Sequence, residues 1–166
     1  MTPPATTTTP SQQKAANQQL SVNLQELLDN LFLVLTDKEA TVIKRRFALH
    51  GSQKQTLEKI GKHFKVTRER IRQIESIALS KLKRTVRTTK LDEVNGLAKS
   101  ILQAHGGLMR DDILISAVLT HIQRSTELDG AVLRLSFSID NEMSLGSRVN
   151  SFVSFWRLDS LDMKDV

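Results

Sequence analysis

The stretch TLEKIGKHFKVTRERIRQIESIALSKLKR, Thr56 to Arg84, organises the chain. Thr56 suits an N-cap, and Leu57, Ile60 and Phe64 follow it at helical spacing. Lys65-Val66 makes a turn, and Thr67 caps a second helix. Ile71, Ile74, Ala78 and Leu82 then recur at steps of three or four as one buried stripe. With about 100° between successive residues, Arg68, Glu69, Arg72 and Gln73 project from nearly the opposite face. Gly61 sits in the first helix, where a close crossing by the second requires a missing side chain. The spacing predicts a helix-turn-helix whose second helix can enter a major groove.

The side chains on that outer face suit base recognition. Arginine donates two hydrogen bonds to guanine, glutamine pairs bidentately with adenine, and glutamate accepts from the cytosine amino group. A charge run by itself more often marks a solvated face. Here a complete two-helix pattern precedes it, which favours the groove.

Residues Leu35 to Arg84 resemble region 4 of bacterial primary-type sigma factors. LTDKEATVIKRRF resembles the opening helix of that region, and VTRERIRQIE matches its DNA-reading helix almost residue for residue. The resemblance implies recognition of the promoter −35 element and docking on the β flap of RNA polymerase core. It implies base contacts from Arg68, Glu69 and Gln73. It places Thr56, Leu57, Glu58, Thr67, Arg70, Arg72 and Lys81 at or near the phosphates. Arg72 also lies on the reading face and is grouped with the base readers, while Arg84 adds charge along the backbone. Ile77 and Ser80 depart from the family, which often carries basic residues there.

Working outward, Leu24, Leu27, Leu28, Leu31 and Leu35 form an apolar stripe over Ser21 to Leu35, widened by Phe32 and Val34. It is too short for a zipper of three heptads and reads as a core helix. Thr36-Asp-Lys-Glu39 is a capping box. Behind it Ala40, Ile43 and Phe47 face inward, with Lys44 and Arg45 outside. Residues 1–20 hold all three prolines and are rich in threonine and glutamine, so they are expected to be a disordered tail.

After Arg84 the character changes. Thr85 to Lys90 is polar and basic, and is expected to fray as a linker. Leu91, Val94, Ala98, Ile101, Leu102 and His105 trace a helix ended by Gly106-Gly107. Asp111 and Asp112 begin another, where the helix dipole favours carboxylates. Its expected stripe is Ile113, Ala117, Val118 and Ile122. Leu128 to Ile139 fits helical and alternating patterns alike, and a short helix ending near Phe137 is preferred. Ser151 to Leu158 is expected to be a strand, with Trp156 as a core anchor.

This second half is similar to the HARE-type winged-helix domain, also found in the δ subunit of bacterial RNA polymerase. The similarity rests on the helix–Gly-Gly–helix opening and the closing FVSFWRL. The expected fold is therefore mainly α: a helix-turn-helix bundle (21–88), a winged-helix-like domain with a short sheet (91–158), and a C-terminal tail (159–166). The two halves are expected to fold separately.

Charge divides them too. Residues 1–91 carry 17 Lys/Arg against 7 Asp/Glu, or +10; residues 92–166 carry 7 against 11, or −4, matching the net +6. A basic partner surface therefore belongs to the first half. The chain has no cysteine, which excludes disulfides and thiolate chemistry. His50, His63, His105 and His121 lack ligand spacing, so no metal site is predicted. No catalytic residues, cofactor, small-molecule substrate or membrane span are predicted, and the protein is expected in the bacterial cytoplasm, at the nucleoid. Nothing resembles the sigma segments that melt the −10 element, so initiation by this chain alone is not expected. The alternative is a protein-interaction module on the polymerase flap, or on another transcription factor, with vestigial DNA contacts.

Overall fold

A computed structural model describes residues 23–49, 51, 53–123, 126–147 and 154–160. The tail expected at 1–20 and residues 161–166 of the C-terminal tail lie outside them. The described residues form a mainly helical chain with one small antiparallel sheet.

Helix α1 (Leu24–Phe32) starts at Asn23, whose side-chain oxygen accepts from the Glu26 amide, and buries Leu24, Leu28, Leu31 and Phe32. It ends before the expected Leu35, leaving Leu33 and Val34 exposed. The cause is the next cap. Thr36 is extended and exchanges hydrogen bonds with Glu39, which starts α2 (Asp37–Arg46) afresh. α3 (Leu57–Phe64) and α4 (Arg68–Thr85) complete the first half.

Two apolar clusters hold these helices. Val42, Ile60, Ile71 and Ile74 form the small one, edged by Leu57, Phe64 and Val66. The large one takes Ile43 from α2, Ala78 and Leu82 from α4, and the buried face of α1. Helix α4 is thus divided along its length. Its first half belongs to the helix-turn-helix core, and its second half belongs to the larger cluster.

The large cluster continues without interruption into the acidic half. Thr85–Lys90 does not fray: Val86–Thr88 is a 3-10 turn with Val86 buried, and the Thr88 and Thr89 hydroxyls donate to the carbonyls of Thr85 and Val86. Helix α5 (Leu91–Ala104) buries Leu91, Val94, Ala98 and Leu102, while His105 caps it from an exposed position. Gly106 and Gly107 reverse the chain at φ of +79° and +81°, where side chains are strained. Strand β1 (Leu108–Arg110), helices α6 (Asp111–His121) and α7 (Glu127–Ser138), and strands β2 (Met143–Ser147) and β3 (Ser154–Leu158) follow.

The sheet order is β1-β3-β2, all antiparallel, and the sequence of elements is winged-helix-like. The first two strands were not expected. β1 has three residues, and β2 (MSLGS) lacks β-branched residues and contains glycine, so neither carries a strand signal. Residues 151–153 of the expected terminal strand lie outside the described residues. The α6 stripe is Leu114, Ile115, Val118 and Ile122, with Ile113 outside. Three consecutive apolar residues, Ile113 to Ile115, leave the helical phase open in sequence.

Trp156 is 1% exposed. Its ring meets Phe137 edge-on at 5.4 Å, and its Nε1 donates to Asp111 at 2.8 Å. Buried Asn95 ties α5 to the end of α7: its amide donates to the Ser136 carbonyl and to Asp140, and it accepts from the Ser136 hydroxyl. Helix α1 lies against both α4 and α7. Leu28→Ala should therefore cost about 2–5 kcal/mol, as a buried leucine truncation does. Denaturant unfolding followed by Trp156 fluorescence should report the loss, although the tryptophan lies in the other half of the chain.

Candidate nucleic-acid interface

The joint between α3 and α4 is built from three local features. The Thr56 hydroxyl accepts from the Lys59 amide at 3.2 Å, and the Thr67 hydroxyl accepts from the Arg70 amide at 3.2 Å. Both are N-caps in extended conformation. Lys65 closes α3 in the left-handed region, at φ 55°, and the Val66 amide donates to the Gly61 carbonyl at 3.0 Å. A Cβ on Gly61 would sit 2.7 Å from the Val66 carbonyl oxygen. The glycine is thus what allows the turn to fold back on α3.

Arg68, Glu69, Arg70, Arg72 and Gln73 are all exposed on α4. They are already partnered within the protein. Arg72 donates three hydrogen bonds to Glu69, at 2.7, 2.9 and 3.1 Å. The Arg72 guanidinium holds the Glu69 carboxyl below its ordinary range, and Glu69 raises Arg72 in return. Arg70 donates to the Gln73 side-chain oxygen at 3.2 Å, and Arg68 stands 3.8 Å from Glu58. The outer face is therefore a fringe of exchangeable exposed pairs, each worth little in water. Such pairs can be traded for base or phosphate contacts at small cost.

The residues grouped with the DNA backbone are in unlike settings. Thr56, Glu58, Thr67, Arg70 and Arg84 are exposed. The Leu57 side chain edges the small core, so its outward group is the backbone at the start of α3. Lys81 is half-exposed and donates to both oxygens of Glu39 at 2.9 Å. A phosphate contact by Lys81 would have to compete with that carboxylate.

Glu39 is the positioning residue that sequence reasoning missed. It was legible only as part of a capping box, and its second partner is 42 residues away. It is buried, and hydrogen bonds from Lys81 and then from the Thr36 backbone lower its carboxyl against the opposing effect of burial. A second brace joins α2 to α4 nearby: Arg46 donates to Glu75 at 2.9 Å and to the Gln55 carbonyl at 2.8 Å. Together they fix α4 and the approach to α3 upon α2.

Among its described residues the second half does not present a comparable face. α7 packs against α1, α5 and α6, and from Asp129 to Phe137 only Arg134 is exposed. Arg134 itself donates to Asp111 at 2.8 Å. Among the described residues no group of three or more potential metal ligands comes together. The three described histidines are exposed and occupied singly, His63 by Arg45 and His105 and His121 by backbone carbonyls. No described helix is long and apolar enough to cross a membrane.

Fold and face together define a helix-turn-helix whose second helix has a charged, exposed outer face. Residues 31–84 match the family model for sigma-70, region 4. Residues of this chain are 50% identical over 68 positions to the RNA polymerase sigma factor SigA of Lactococcus lactis subsp. cremoris, covering 41% of this chain and 19% of that protein. The SigA of Lactococcus lactis subsp. lactis (strain IL1403) is also 50% identical over 68 residues, covering 18% of its length. The chain thus spans about a fifth of the length of these curated relatives.

Two substitutions test how α4 is held. Gly61→Ala forces backbone to move at Val66 and should cost about 1–3 kcal/mol, read as a lowered urea midpoint. Glu39→Gln should cost about 1–3 kcal/mol near neutral pH by removing a charged hydrogen-bond acceptor. Because the folded Glu39 value is lowered, its stabilisation is whole above the ordinary value of 4.5 and is lost as pH falls through the folded one. Urea melts of the wild type and Glu39→Gln should therefore converge in acid.

Proposed function

We propose that this protein binds duplex promoter DNA through α4 and regulates transcription through RNA polymerase. The observation that carries the proposal is the exposed set Arg68, Glu69, Arg72 and Gln73, on the second helix of a helix-turn-helix, within the segment matching sigma-70 region 4. Under this reading Arg68, Glu69 and Gln73 choose bases in a −35-like element, and Arg72 reaches bases or phosphate when it leaves Glu69. Thr56, the α3 backbone at Leu57, Glu58, Thr67, Arg70 and Arg84 lie along the phosphates. Lys81 contributes there only if it gives up Glu39.

The proposed protein partner is core polymerase, through its β flap. Leu33 is 81% exposed and Val34 42% exposed at the turn between α1 and α2, which supports a protein contact on the first half. That pair also favours the second reading, a module that binds polymerase or another factor without reading DNA. We further propose that the second half, a HARE-type winged helix in this reading, makes protein rather than DNA contacts, since α7 is covered and the half is net acidic.

Binding to duplexes containing TTGACA or a scrambled site, at several salt concentrations, separates the readings. Gln73→Ala should cost roughly 1–3 kcal/mol on the matched duplex and little on the scrambled one. Arg84→Ala should weaken both alike and lower the salt slope by about one unit. Equal losses from Gln73→Ala on both duplexes would leave the protein-interaction reading in possession. Recovery of core polymerase with the tagged full chain tests the partner.

A further inference from the structure

Helix α4 carries three bands along its outer face. Charged and amide side chains occupy the start, from Arg68 to Gln73, and Lys83 and Arg84 occupy the end. Between them lie Ser76, Ile77 and Ser80, all exposed. Ile77 is 50% exposed. The other large exposed apolar side chains among the described residues are Leu33, Val34, Ile113 and Leu145, and none of them is on α4.

Ile77 follows Gln73 by four residues. It therefore lies about 40° around the helix from Gln73 and about 6 Å further along the axis. That distance is close to two base steps of roughly 3.4 Å. An isoleucine there can neither donate nor accept a hydrogen bond, so phosphate and polar base edges gain nothing from it. The major groove offers one apolar group, the 5-methyl of thymine. The β-branched side chain holds few rotamers, which gives it a defined place to meet a methyl. Short Ser76 and Ser80 beside it put no long charged chain in the way.

We propose that Ile77 is a specificity-determining residue that reads a thymine methyl about two base steps from the base read by Gln73. The inference rests on the proposal that α4 reads duplex DNA, and it adds a thymine preference that the charged residues do not supply. Its partner is the methyl group, so the probe that isolates it is deoxyuridine, which lacks only that methyl.

The experiment uses the full chain and TTGACA duplexes with two flanking pairs on each side, in which each thymine of either strand is replaced singly by deoxyuridine. Wild-type protein should lose about fourfold in affinity at one thymine, the size expected for one buried methyl. Ile77→Ala should bind the all-thymine duplex about fourfold more weakly and be indifferent to that same replacement. Ile77→Val, which keeps the branched carbon, should retain the sensitivity. If no replacement affects the wild type, or if Ile77→Ala remains as sensitive as the wild type, Ile77 does not read a methyl. In that event continued preference for TTGACA over the scrambled duplex leaves the DNA-reading proposal standing. Loss of that preference in the wild type itself would overturn both.

Discussion

The approach of Gly61 to the Val66 carbonyl sets the angle at which α4 leaves its support. A missing Cβ lets the turn close over α3, and the Val66 amide returns to the Gly61 carbonyl in the same place. Thr67 then caps α4 at once, so the helix begins with Arg68 and Glu69 already pointing away from the small core. That core has four fully or nearly buried residues, one each from α2 and α3 and two from α4. So small a cluster cannot hold an 18-residue helix by itself. The second half of α4 is held by Ala78 and Leu82 in the large cluster, with α1 and the turn at Val86.

Polar contacts complete the support in a graded way. The buried or half-buried pairs, Glu39 with Lys81 and Arg46 with Glu75, join separate helices and resist rearrangement. The exposed pairs on the outer face, Glu69 with Arg72 and Arg70 with Gln73, join neighbours on one helix and are easily exchanged. The bracing pairs and the exchangeable pairs thus draw on the same residue types, separated by burial. A charged side chain that bridges helices under the surface braces the fold, and one that bridges a single turn in water remains available to a ligand.

The acidic half uses the winged-helix order of elements for a different balance of surfaces. Its third helix, α7, is enclosed by α1, α5 and α6, and buried Asn95, Ser136 and Asp140 are satisfied by one another and by Lys99. The apolar cluster that contains Trp156 and Phe137 also contains the leucines of α1. Charge changes sign between the halves, but their apolar interiors meet. The basic surface is consequently displayed from a broader base than a helix-turn-helix alone supplies.

Local pattern determined the helix-turn-helix. Caps at Thr36, Thr56 and Thr67, the stripe from Ile71 to Leu82, and the outward set Arg68, Glu69, Arg72 and Gln73 all follow from spacing along one chain segment. The burial of Trp156 and the double glycine after α5 were legible for the same reason. Tertiary structure alone decided what depended on distant partners. Glu39 meets Lys81 across 42 residues, and β1 becomes a strand only because β3 supplies the other half of its hydrogen bonds. The phase of α6 through Ile113, Leu114 and Ile115 was settled by which side the core lay on, and Val86 was drawn out of a polar stretch by a cluster assembled from both halves. Periodicity shows which faces of an element are apolar, whereas the partner that covers each face is fixed only when the chain folds.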